Sequence, residues 1–78
     1  MNDEICQKFA TKVQKLRVEK GLSQGQLSIE ADCSKSYIGK IENCQKMPTL
    51  KTIAKLSRAL GVHIKELFDF EYDMDNEN

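Results

Sequence analysis

The stretch GLSQGQLSIEADCSKSYIGKIEN, residues 21–43, predicts two short helices separated by a tight turn. Gly21 suits the left-handed conformation in which a preceding helix ends. Ser23 and Gln26 have the S-x-x-Q spacing of a capping box, in which each side chain bonds to the other residue's backbone at the start of a helix. A second helix is therefore expected over about residues 24–31.

The segment ADCS, residues 31–34, interrupts this helical pattern before it resumes. Ser34 is a good N-terminal cap, so a third helix is expected from there to about Asn43. Two short helices joined by a turn of three or four residues form the helix-turn-helix arrangement.

The remainder of the 78-residue chain has the same helical character. Apolar residues at steps of three and four predict a first helix over about residues 4–20. Thr49 caps a fourth helix that ends at Gly61, and the segment VHIKELFDF, residues 62–70, predicts a short fifth helix. Because no strand-like alternation occurs, we expect an all-α, compact five-helix domain.

Charge is unevenly distributed along the chain, although its formal net charge is zero. Residues 8–65 contain all 12 lysines and arginines but only four acidic residues, whereas residues 66–78 contain six acidic residues and no basic one. A basic body can bind a polyanion even when the whole molecule is neutral. The alternative is a solvated surface whose charges happen to segregate. We expect residues 1–70 to form the folded domain and 71–78 an acidic, flexible tail.

The three cysteines and the single histidine give no convincing metal site. Cys33 and Cys44 stand at the two ends of the third helix, roughly 16 Å apart at 1.5 Å per residue, and a disulfide needs Cα atoms within about 7 Å. The other potential metal ligands are Cys6 and His63, and the chain contains no C-x-x-C pair. We therefore expect reduced thiols, no metal and no cofactor, while a redox role for Cys44 stays open.

The sequence also argues against membrane insertion and catalysis. No apolar run approaches the ~20 residues of a membrane span, and the N-terminus lacks the pattern of a secretory signal. No nucleophile is paired with a base, so an enzyme is not expected. We expect a cytoplasmic protein without a membrane partner or a small-molecule ligand.

The third helix has two chemically different faces. Its apolar face carries two isoleucines, and the opposite face carries donors and a glycine without a carboxylate: Lys35, Ser36, Gly39, Lys40 and Asn43. Lysine can donate to guanine, and asparagine can pair with adenine or bond to a phosphate, so this face has the chemistry of a major-groove reader. An ordinary solvated face usually mixes both signs of charge.

Residues 17–68 resemble the Cro/repressor-type (XRE-like) helix-turn-helix family. The matching motifs are LSQ at the start of the second helix, SYIGKIEN in the third, P-T-L-x-T-I at the fourth, and ALGV…ELF at the end. The resemblance implies a lambda-repressor-like fold. It also implies a transcriptional regulator, a repressor or autoregulator, that binds double-stranded DNA sequence-specifically. The small size and the acidic tail also resemble restriction–modification controller proteins and small phage or plasmid repressors.

The resemblance implies roles for individual residues. DNA contacts are expected from the second and third helices, the following loop and the start of the fourth helix: Gln24, Ser34, Lys35, Ser36, Tyr37, Lys40, Asn43, Lys46, Thr49 and Lys51. Of these, Lys35, Ser36 and Lys40 are expected at base edges and the others at phosphates. Arg17 and Glu42 match a structural ion pair of the family.

The chain departs from the family pattern at four positions. Asp32 stands where the turn between the second and third helices usually has glycine, and Cys33 replaces a small aliphatic residue. Ser28 replaces the customary alanine where these two helices meet. Cys44 stands where the family has a capping glycine, which leaves the end of the third helix and the direction of Asn43 open.

The C-terminal segment carries a candidate dimer surface. One recognition helix reads only a few base pairs, and a two-fold dimer reads two half-sites of a palindrome about 34 Å apart. Aromatic and aliphatic residues in and after the fifth helix are the candidates for a homodimer interface: Ile64, Leu67, Phe68, Phe70 and Tyr72. The alternative for these residues is burial within the monomer. The alternative function is an antitoxin or anti-regulator whose main partner is another protein.

Overall fold

The computed structural model describes residues 4–72, which form four α-helices and one 3₁₀ helix. The all-α class and the helix-turn-helix at the second and third helices are confirmed. The predicted fifth helix is present, but this short segment forms a 3₁₀ helix rather than an α-helix. Most of the predicted acidic tail, residues 73–78, lies outside the described residues. The elements are α1 (Glu4–Lys20), α2 (Gln24–Glu30), α3 (Tyr37–Glu42), α4 (Leu50–Leu60) and the 3₁₀ helix (Ile64–Phe68).

Two helices begin with the side-chain caps that the sequence predicts. The Gln26 backbone N–H donates to Ser23 Oγ at 3.0 Å, and the Ser23 N–H donates to Gln26 Oε1 at 2.8 Å, which completes the capping box of α2. At α4 the Thr52 N–H donates to Thr49 Oγ1 at 3.2 Å. Local side chains therefore set the direction in which these two helices leave their loops.

The start of α3 differs from the prediction. The helix begins at Tyr37 with Ser36 as its N-cap, and Ser36 makes no side-chain capping bond. Ser34 instead lies in the preceding turn, where its carbonyl accepts from the Tyr37 N–H at 3.0 Å. Lys35 and Ser36 thus precede the recognition helix and are not part of it.

All four α-helices end in the same backbone motif. A residue just after the helix adopts the left-handed conformation, and its N–H and the N–H of the next residue donate to carbonyls of the last helical turn. At α3 the Cys44 N–H donates to the Ile41 carbonyl at 3.0 Å and the Gln45 N–H to the Lys40 carbonyl at 2.8 Å. The left-handed residues are Gly21 (φ 78°), Asp32 (φ 58°), Cys44 (φ 58°) and Gly61 (φ 69°). Asp32 and Cys44 therefore adopt the glycine conformation, and α3 ends where the family pattern places its end.

The hydrophobic core receives side chains from every helix. α3 packs against both α1 and α2, while α4 and the 3₁₀ helix close the opposite side. Each fully buried aliphatic side chain contributes about 1.5–3 kcal/mol relative to an exposed one. The centre of the core consists of Phe9, Val13, Leu27, Ile38, Ile41, Leu56 and Leu67. This packing fixes α3 at the surface with one face turned outward.

None of the described helices combines the length and the apolar character that a membrane crossing requires.

Candidate nucleic-acid interface

An open groove brings together side chains from α2, from the turn before α3, and from α3 itself. It contains ammonium, hydroxyl and amide groups and no carboxylate. We call this surface the reading groove, and it is lined by Gln24, Gly25, Lys35, Ser36, Gly39, Lys40 and Gln45. All three residues expected at base edges, Lys35, Ser36 and Lys40, lie in it. The shift in the start of α3 therefore leaves them on one surface.

The expected base-contacting side chains are available to a partner. Lys35, Ser36 and Lys40 are exposed, and none of the three makes a side-chain hydrogen bond or ion pair within residues 4–72. The carbon chain of Lys35 passes over Gly25, since a Cβ built there would lie 3.7 Å from Lys35 Cγ and Cε. Lys35 thus extends along the first turn of α2 toward the groove.

Ser28 joins the two helices of the motif by a buried hydrogen bond. The Ile38 N–H lies in the first turn of α3, where backbone donors have no partner within the helix. It donates to Ser28 Oγ at 3.1 Å, and Ser28 is fully buried. A residue of α2 therefore performs the capping role that Ser34 was expected to have. Sequence reasoning recognised Ser28 only as a small substitution, because the two partners lie on different helices.

Replacing Ser28 with alanine should destabilise the fold by about 1–2 kcal/mol, because the Ile38 N–H then stays buried without an acceptor. Urea unfolding followed by circular dichroism measures the change. Ser57→Ala is the matched control, since the Ser57 hydroxyl only donates to the Ala54 carbonyl of its own helix at 2.8 Å. Equal stability of the two variants would contradict the capping role of Ser28.

Arg17 and Glu42 form a nearly buried, two-pronged ion pair between α1 and α3. Arg17 Nε donates to Glu42 Oε2 at 2.7 Å and Nη2 to Oε1 at 3.1 Å. Arg17 Nη1 also donates to the Leu22 carbonyl at 2.8 Å. The Glu42 side chain is only 4% exposed. The pair therefore ties the recognition helix to α1 and to the loop before α2.

Gln24, expected at a phosphate, also reaches this ion pair. Its Nε2 donates to Glu42 Oε1 at 2.8 Å, and its side chain remains at the surface. The amide is therefore held in one orientation in the free protein while it stays accessible from the reading groove. The sequence spacing of 18 residues gave no sign of this contact.

The remaining predicted DNA contacts are not part of the groove lining, and most of them are exposed. Ser34, Asn43, Lys46 and Lys51 are exposed, and Tyr37 is half-buried with its ring against the core. Thr49 is exposed, but its hydroxyl is occupied by the cap of α4 and donates to Thr52 Oγ1 at 3.2 Å. Leu50, the residue after Thr49, is a large apolar residue that is exposed at the start of α4.

The cysteines are free thiols in this structure, and no three histidine, cysteine or acidic side chains within residues 4–72 cluster as metal ligands. Cys33 Sγ donates to the Ala31 carbonyl at 3.3 Å. Burial raises the pKa of the Cys33 thiol above its ordinary value, and the charge of Lys55 opposes this only in part. A thiol with a raised pKa forms less of the reactive thiolate, which favours a packing role for Cys33.

The predicted dimer surface is divided between the outside and the core. Ile64 is 46% and Phe68 44% exposed, and Phe70 and Tyr72 are half-buried. Leu67 was wrongly placed in this surface, because the 3₁₀ helix turns its side chain fully into the core. The Phe68 ring packs between Phe9 and Phe70, with ring centroids 5.3 and 6.5 Å away.

Known proteins share both the sequence pattern and the fold. The helix-turn-helix family HTH_3 matches residues 13–67. Control protein C.BamHI of Bacillus amyloliquefaciens is 39% identical over 71 residues, 90% of this chain and 88% of that protein. Control protein C.MunI of Mycoplasma sp is 39% identical over 87% of this chain and 92% of that protein. The crystal structure of the restriction-modification controller protein C.AhdI from Aeromonas hydrophila matches with a TM-score of 0.78 and 38% identity, covering 81% of this chain and 96% of that one.

Proposed function

The chain is a DNA-binding transcriptional regulator that belongs to the helix-turn-helix family HTH_3, and from that premise we propose that it reads a palindromic operator as a homodimer. The family is one of DNA-binding regulators and not of enzymes. We also propose a cytoplasmic location for the chain. The relatives described above occur in bacteria, whose genome lies in the cytoplasm.

The reading groove is the observation that carries this proposal. It presents two ammonium groups, a hydroxyl and amides without a carboxylate, so it matches the acceptor-rich edges of bases in the major groove. Lys35, Ser36 and Lys40 are assigned to base edges. The remaining polar residues around the groove are assigned to phosphates: Gln24, Ser34, Tyr37, Asn43, Lys46, Thr49 and Lys51.

The similarity to control proteins supports a more specific role. C.BamHI and C.MunI carry the name control protein, and C.AhdI is described as a restriction-modification controller. We extend that role to this chain, so that the genes it regulates belong to a restriction–modification system. The antitoxin alternative has no support among these relatives.

Selection of bound sequences from random duplex DNA tests the proposal. We expect enrichment of a palindrome whose half-sites lie about 34 Å apart, one turn of DNA, as a two-fold dimer requires. Lys35→Ala should relax the preference at one position of each half-site, whereas Lys51→Ala should weaken binding to all sequences alike. The absence of any enriched sequence would exclude a sequence-specific reader.

The dimer surface is assigned to Ile64, Phe68, Phe70 and Tyr72. Exposed apolar side chains beside one another are typical of protein interfaces, and two of these residues are more than 40% exposed. Leu67 is left out because it contributes to the core of one protomer.

Ile64→Ser should weaken dimerisation by about 10- to 100-fold. Full burial of an isoleucine is worth about 1.5–3 kcal/mol, and Ile64 is 46% exposed, so about half of this remains to be gained and a two-fold dimer loses it twice. Sedimentation equilibrium of the full chain measures the dimer dissociation constant. Val18→Ser is the matched control, because Val18 is a β-branched aliphatic residue that is 60% exposed on α1. An unchanged dissociation constant for Ile64→Ser would place the dimer surface elsewhere.

A further inference from the structure

We propose that Gly39 is a positioning residue for DNA binding: its missing side chain leaves room for the Gln24 amide, which Glu42 then holds toward the phosphate backbone. The inference rests on the proposed DNA-binding function. It assigns to Gly39 and Glu42 a task beyond those that the sequence indicates, where Gly39 is one residue of the outward face of the third helix and Glu42 only pairs with Arg17.

The first step is the orientation of the Gln24 amide. A carboxylate only accepts hydrogen bonds, so the group 2.8 Å from Glu42 Oε1 must be Nε2, and Oε1 of Gln24 must face the other way. Glu42 itself cannot turn, because Arg17 holds both of its oxygens. One N–H of the Gln24 amide is therefore occupied, and the second N–H remains for an acceptor outside the protein.

The second step is the space above Gly39. A Cβ built on Gly39 would lie 3.2 Å from Gln24 Oε1, 3.7 Å from Cδ and 4.0 Å from Nε2. The 3.2 Å distance from the Cβ to the amide oxygen is tighter than an ordinary contact, so a side chain here would require the Gln24 amide to shift by a few tenths of an ångström. The amide thus lies close against the place where a side chain of α3 would stand.

The glycine of α2 in the same groove shows that this tightness is specific to Gly39. A Cβ on Gly25 would meet its nearest atoms, Lys35 Cγ and Cε, at 3.7 Å, an ordinary van der Waals distance. Alanine therefore fits at Gly25 without displacing a neighbour. Of the two glycines of the reading groove, only Gly39 lies so close to a neighbouring side chain that an added Cβ would displace it.

The third step is the consequence for binding. A glutamine at the surface ordinarily samples many rotamers, and this freedom is lost when a phosphate fixes it. Gln24 is already held in the free protein by its bond to Glu42, and Gly39 leaves the room that this position of the amide needs. A side chain that is ordered before binding loses less entropy on binding, so the contact contributes more to affinity.

A double-mutant cycle on the selected operator, at one fixed salt concentration, tests this inference. Gln24→Ala should weaken binding by about 100-fold or more, because each of the two protomers loses one hydrogen bond to a charged group. Gly39→Ala should weaken binding several-fold in the wild-type background and by less than twofold when Gln24 is already alanine. Equal losses in both backgrounds would mean that Gly39 acts on DNA directly, and no loss in either would mean that it does not act at all.

The side-chain amide signal of Gln24 in ¹⁵N NMR spectra gives a readout that a purely structural role would not move. We expect one Nε2 proton shifted by its bond to the Glu42 carboxylate, a shift that Gly39→Ala reduces while the backbone spectrum keeps the native pattern. Gly25→Ala is the matched glycine-to-alanine control for this signal and should leave it in place. A Gln24 signal that is unaffected by Gly39→Ala would overturn the inference.

The two proposals fail in different ways. If the wild-type chain enriches no sequence from random DNA, the proposed function and the positioning inference both fall. If the wild-type chain binds an operator but the two substitutions are additive, only the positioning inference falls.

Discussion

Raising the salt concentration from 50 to 200 mM should weaken operator binding by about 10³–10⁴-fold. Two exposed lysines of each protomer, Lys35 and Lys40, line the reading groove, and two more that we assign to phosphates, Lys46 and Lys51, are also exposed. A dimer therefore presents eight. When six to eight of these cations neutralise phosphates, the counterions they displace make log affinity fall with a slope of about −5 to −7 against log salt. Titration of a fluorescent operator at several KCl concentrations measures that slope.

Single lysine substitutions should locate the source of this slope. Lys51→Ala should reduce its magnitude by about two units, one for each protomer of the dimer. Lys15→Ala removes the same charge from an exposed position on α1, away from the groove, and should leave the slope unchanged. A slope near zero for the wild-type chain would mean that the phosphates are not the main contacts.

Arg17→Met should destabilise the protein by about 3–5 kcal/mol, the cost of leaving a buried carboxylate without its partner. Glu42 is 4% exposed and would keep a hydrogen bond from Gln24 but lose both bonds from the guanidinium. Small domains are stable by only about 5–15 kcal/mol, so this variant would be close to unfolding. Urea unfolding at neutral pH, followed by circular dichroism, measures the loss.

Two further variants separate the buried charge from the loss of side-chain packing. Arg58→Met makes the same replacement at an exposed position of α4 and should change stability by less than about 0.5–1 kcal/mol. Adding Glu42→Gln to Arg17→Met should recover part of the loss, because the neutral amide no longer carries an unpaired charge. If Arg17→Met were as mild as Arg58→Met, the ion pair would not contribute to folding.

Local signals in the sequence predicted the parts of the fold that local bonds determine. Ser23 and Thr49 cap α2 and α4 as their spacing indicated, and Gly21 and Gly61 end α1 and α4 in the left-handed conformation. In each case the bonded atoms lie within a few residues of one another. Such contacts can be read from spacing alone.

The parts that sequence reasoning missed depend on contacts between helices. α3 begins later than expected, because its buried cap comes from Ser28, ten residues before its partner Ile38. The Gln24 amide lies over Gly39, and Leu67 points into the core, for reasons of packing that no spacing rule contains. Sequence reasoning therefore predicted candidate site residues by type but not the contacts between them.

The separation between the side chains that face outward and those that hold α3 in place has a consequence for divergence among related chains. Lys35, Ser36 and Lys40 have no side-chain bonds within residues 4–72, so exchanging them carries little cost for folding. The bond from Ser28 to Ile38 keeps the geometry of the two helices while such exchanges occur. When the sequence of the DNA target changes during evolution, a chain with this framework can adapt its base contacts through a few surface substitutions. It does not first need compensating substitutions in its interior.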